Sequence, residues 1–71
     1  MVIPSEKRLL NAQLSDLAET IDEQMNVVER EAHMKGVHPS ELMYSDGQYI
    51  LPPLLVAMAQ VLNARVHLNK N

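Results

Sequence analysis

The sequence predicts an all-α protein: an antiparallel helical hairpin of one long helix, a compact connector and a shorter helix. Three observations predict it. Of the 71 residues, 46% are hydrophobic but only 3% are aromatic, namely Tyr44 and Tyr49. The core must therefore be built from Leu, Val, Ile, Met and Ala, which suit helix packing better than a sandwich or barrel. No Gly or Pro interrupts Ser5 to Lys35, where apolar residues recur at helical spacing. A second, more apolar run follows Pro52-Pro53.

The first helix is expected over about residues 5–35. Ser5 is an acceptable N-cap, and Glu6 falls in the first turn, where the helix dipole favours acid. The stripe Leu10, Leu14, Leu17, Ile21, Met25, Val28, Ala32 has a mean step of about 3.67 residues, closer to an 11-residue repeat than to a heptad. Leu9 and Ala18 widen it. Lys35 lies in the last turn, and Gly36 is the expected glycine just past the end.

The connector, 36–51, reads as compact. His38-Pro39-Ser40-Glu41 looks like a helix start, with a short helical turn through Met43. Asp46-Gly47 is a tight-turn signal, read here as a bare turn without a ladder. As a two-residue hairpin it would instead set Tyr44 opposite Tyr49. The second helix, about 53–69, is opened by the two prolines, which fit a first turn. Its polar residues Gln60, Asn63, His67 and Lys70 form one narrow line. A helix so apolar around the rest of its surface needs more than one neighbour.

Composition excludes several function classes. The net charge is −3, with six scattered bases outnumbered by nine acids, which disfavours nucleic acid as a partner. The absence of cysteine removes disulfides and thiolate metal sites. The longest apolar stretch, Tyr49 to Ala59, is broken by Pro52-Pro53 and falls short of the ~20 residues that span a bilayer. In MVIPSEKR the charges follow an apolar start, the reverse of a signal peptide, so a cytoplasmic location is expected.

No motif carries catalysis. His33, His38 and His67 lack the paired spacing of a metal site and read as surface or capping residues. Asp16, Glu19 and Glu23 share a helix face and Asp22 sits off it, but no Glu-x-x-His accompanies them, so they read as a solvated face. Ser5, Ser15, Ser40 and Ser45 have no glycine-flanked elbow. Met1, Met25, Met34, Met43 and Met58 are spread evenly and read as gap-fillers. No cofactor, metal or catalytic residue is expected. Residues 31–42, EAHMKGVHPSEL, follow the rhythm of a helix-turn-helix, yet the would-be recognition helix presents Ser40, Glu41, Ser45 and Asp46 to DNA.

The segment HPSELMYSDGQYILPPLLVAMAQVLNAR, following an acidic amphipathic helix, resembles small uncharacterised proteins encoded by phages of actinobacteria. That resemblance implies a phage accessory or virion-associated protein, in the host cytoplasm or the virion, and assigns no site residues.

The expected function is therefore a non-enzymatic interaction or structural protein that self-associates, most simply as a dimer. A helix-turn-helix regulator, or a small acidic inhibitor of a host or cognate protein, is the alternative. The expected interface is Leu9, Leu10, Leu14, Leu17, Ile21, Leu55, Met58 and Leu62. The reasoning is geometric: folding a helix of about 26 Å back on one of about 46 Å leaves roughly the first twelve residues uncovered. If Lys35 is level with Pro53, Arg65 falls beside Asp22 and Glu23, and Lys70 beside Ala18 and Glu19.

Overall fold

A computed structural model describes residues 3–70. It contains two α-helices packed against each other, α1 (Pro4–Lys35) and α2 (Leu51–Asn69), with a single 3₁₀ turn at Pro39–Glu41 between them. The hairpin is a rod of 48 × 17 × 16 Å.

Helix α1 starts one residue earlier than Ser5. Ile3 is its N-cap in an extended conformation, and Pro4 takes the first helical position, where a missing N–H costs nothing. Its end is as expected. Gly36 is left-handed at φ 69°, its N–H donates to the His33 carbonyl at 3.1 Å, and the Val37 N–H donates to the Ala32 carbonyl at 3.0 Å. These two bonds are those of a Schellman cap.

The connector folds back over the end of α1. The His38 Nδ1 caps the 3₁₀ turn, accepting from the Ser40 N–H at 3.2 Å. Leu42, 3% exposed, and Ala32, 0% exposed, are the most buried residues among those described. The chain around Asp46-Gly47 is more than a bare turn. Met43 and Tyr49 form an antiparallel bridge, the Tyr44 N–H donates to the Gln48 carbonyl at 2.8 Å, and the Ile50 N–H donates to the Leu42 carbonyl at 3.1 Å. Three residues close the loop: Gly47 takes φ 85°, and the Asp46 carboxylate accepts from the Gln48 N–H at 3.0 Å. This is the three-residue hairpin with a left-handed glycine, so Tyr49 faces Met43 and not Tyr44.

Helix α2 begins at Leu51, with Pro52 and Pro53 both in its first turn. At the far end Asn11 and Asn69 exchange two side-chain hydrogen bonds, of 3.0 and 2.8 Å. That pair fixes the register. It sets Arg65 about level with residues 14–15 and Lys70 about level with residue 10, so the expected alignment of Arg65 with Asp22 and Glu23 does not form. The displacement has a physical cause. The connector is long enough to cover the last turn of α1 by itself, so α2 starts beside Val28 and reaches further towards the N-terminus. The uncovered part of α1 then shrinks to roughly its first seven residues, about 10 Å.

Candidate interaction surface

The seam between the helices follows a strict heptad. On α1 the residues that turn inward are Asn11, Leu14, Ala18, Ile21, Met25, Val28 and Ala32, with steps of three and four throughout. On α2 they are Leu51, Leu54, Met58, Val61, Arg65 and Leu68, again alternating three and four, with Ala57 half-buried beside them. The register sets Leu14 opposite Arg65, Ala18 opposite Val61, Ile21 opposite Met58, and Met25 opposite Leu54. This is antiparallel layering of the coiled-coil kind. It differs from the expected stripe, which had Leu10 and Leu17 where the structure has Asn11 and Ala18. The heptad period, not the 11-residue one, keeps the seam facing its partner along the rod.

This sorts the expected interface into two sets. Ile21 is buried, and Leu14 and Met58 are half-buried, all within the hairpin's own seam and therefore turned away from any second chain. Leu9, Leu10, Leu17, Leu55 and Leu62 are exposed, with Leu9 at 59% and Leu17 at 51%. Leu17 is exposed for an angular reason: α2 runs alongside it, but the side chain lies beside the seam. Leu10 shares that column seven residues earlier, and Leu9 stands on the face of α1 opposite the seam, in line with Asp16 and Glu23.

The expected interface omits Val56 and Val66, which are exposed at 57% and 64%. Val66 matters more. With Leu55, Ala59 and Leu62 it completes a second stripe on α2, stepping by four, three and four and displaced by one residue from the inward set. That offset could have been read from the sequence, since α2 carries two interleaved heptads. All four residues of the stripe are exposed.

The stripe lies on one defined flank of the hairpin. Asn69 continues the line of Leu55 and Leu62 at seven-residue intervals, and it bonds Asn11. Asn11 borders the column of α1 that carries Arg8, Ser15, Asp22 and Glu29, so the stripe and this polar column share a side. Leu10 and Leu17 lie on the opposite side, separated by Gln13 and followed by Thr20 and Gln24. A shallow groove of about 340 Å³ is lined by Leu62, Arg65, Val66 and Asn69. Another of about 510 Å³ lies along Asn26, Glu29, Arg30, His33 and Met34 of α1.

Among the described residues no three His, Asp or Glu gather as a metal site, and no helix is long and apolar enough to cross a membrane. The segment at which a helix-turn-helix would place its recognition helix is the three-residue turn Pro39–Glu41, followed at Met43 by the bridge to Tyr49. A single turn does not reach along a major groove. No family model matches the chain, and neither does any curated protein or solved structure.

Proposed function

We propose that this protein is a non-enzymatic interaction module whose folded form is a self-assembly, most simply a dimer of hairpins. The observation that carries this reading is the area left uncovered. The folded chain exposes 5633 Å², whereas a compact monomer of 8.0 kDa would expose roughly 4,500 Å². It buries only about half of the surface of its unfolded chain, against roughly 60% for small domains that fold alone.

Large apolar side chains stay exposed on both helices. The buried hydrophobic core is Ile21, Val28, Ala32, Leu42 and Val61, and no large side chain among those described is completely enclosed. Fully burying a leucine or valine contributes about 1.5–3 kcal/mol. Moving a handful of half-exposed ones into an interface supplies energy comparable to the ~5–15 kcal/mol that holds a domain together.

The resemblance to phage-encoded accessory proteins supports placing this assembly in the host cytoplasm or in a virion, as an accessory or structural component. Light scattering on a sizing column at micromolar concentration tests the reading. The expected mass is a multiple of 8.0 kDa; a helical, cooperatively melting monomer would overturn it.

A further inference from the structure

We propose that α2 is the dimer seam. Its outer stripe, Leu55, Ala59, Leu62 and Val66, packs antiparallel against the same stripe of a second copy, and each Leu55 enters the groove lined by Leu62, Arg65, Val66 and Asn69 of the other. This rests on the self-association reading above and names the surface and the geometry.

The spacing of the stripe is the same read forwards or backwards: four, three, four. A two-fold axis crossing α2 between Gln60 and Val61 therefore brings the stripe onto itself. Leu55 meets the partner's Val66, Ala59 meets the partner's Leu62, and both layers repeat on the other side of the axis. Each inner layer sets a large residue against a small one, which lets the helices approach closely and interdigitate. A two-fold contact of this kind closes on itself and leaves no open end for a filament.

The shallow groove along the same stripe fits this arrangement. Its lining residues stand at i, i+3, i+4 and i+7, the four-residue hole into which a coiled-coil knob inserts. The centre of that hole is level with residues 65–66, where the two-fold places the partner's Leu55. The hole already exists in the single hairpin, with Asn69 held on its rim by Asn11.

One opposite-charge pair falls on this flank. With Leu14 opposite Arg65 and Ala18 opposite Val61, the same axis crosses α1 between Ala18 and Glu19. Arg8 then falls level with the partner's Glu29, an opposite pair, and Ser15 level with the partner's Asp22. Glu19 of each copy falls near the axis, on the side turned further from the seam. The opposite flank of α1 carries Leu10, Leu17, Val27 and Met34, but Gln13, Thr20 and Gln24 interrupt them, so they form no continuous stripe.

The chain has no cysteine, so single cysteines report the geometry directly. Leu55→Cys and Val66→Cys chains are refolded together and oxidised, and each is also oxidised alone. The expected result is a reducible species of twice 8.0 kDa from the mixture and none from either chain alone. Like positions would stand eleven residues apart, about 16 Å, beyond the ~7 Å between Cα atoms that a disulfide bridges. Linkage of Leu55→Cys to itself would overturn the antiparallel seam. So would failure of the mixture to link while the unmodified chain scatters as a dimer, which places the interface elsewhere. A monomeric unmodified chain would overturn the self-association reading itself. In parallel, Leu62→Glu is expected to abolish the dimer peak at a concentration where Leu17→Glu retains it, and the reverse pattern would sink the seam.

Discussion

Gly36 shows how a single residue can end a helix without touching anything. It is left-handed, and a Cβ added there would meet no atom within 4 Å. The cost of Gly36→Ala is therefore conformational and not steric. A non-glycine residue in this region costs roughly 1–2 kcal/mol, so the substitution should lower the thermal midpoint of the chain by several degrees. A neutral or raised midpoint would show that the cap relaxes to another geometry. Asn11 raises a different question at the same scale. It occupies an inward heptad position, where its amide is paired with Asn69. A polar residue at such a position sets register and partner number at some cost in stability. Asn11→Leu should raise the melting temperature while broadening the distribution of assembled states on a sizing column. A lower melting temperature would mean that the amide pair contributes more than an added leucine contact.

At the scale of elements, the connector is more than a link. Leu42 is the connector's one buried side chain among the described residues, and the bridge from Met43 to Tyr49 follows it directly. Leu42→Ala should cost about 2–5 kcal/mol, as large-to-small changes in a core do. In a chain with so small a core this is enough to lose the cooperative transition in a melt followed by circular dichroism. If Leu42→Ala melts like the unmodified chain, the connector is not part of the folded unit. Ala32 gives the opposite test, since it is completely buried where the connector crosses α1. Ala32→Leu should destabilise by about 1–3 kcal/mol through overpacking, and a stabilised variant would reveal unfilled space beside it.

For the whole molecule, the question is why a rod with so thin a core stays folded. Two helices in contact along one seam leave most of each helix facing outward, and α2 has few polar residues to cover its outer side. If the rod dimerises, its stability depends on concentration, because association contributes by mass action. The thermal midpoint should rise as the chain is taken from about 1 to about 100 μM. A midpoint independent of concentration over that range would mean that the hairpin melts as a monomer.

The helical class, the approximate limits of both helices, the glycine cap of α1 and the prolines that open α2 were all legible in the order of the residues. Each is a local matter of backbone conformation and spacing, carried by residues adjacent in the chain. That order also shows that apolar surface exceeds what one hairpin covers, since the apolar residues on α2 leave only a narrow polar line. The tertiary structure decided the rest. A stripe containing both Leu10 and Leu14 does not say which of two adjacent columns faces the partner helix, because a rotation of about 50° makes either one the seam. Asn11 opposite Asn69, fifty-eight residues apart, settles that rotation and turns Leu10 and Leu17 outward. The register depended on how much of α1 the connector covers, and that followed from a bridge between Met43 and Tyr49 that no helical periodicity encodes. The outer stripe on α2 stood in the sequence throughout, but it became a surface only once the inward set was known.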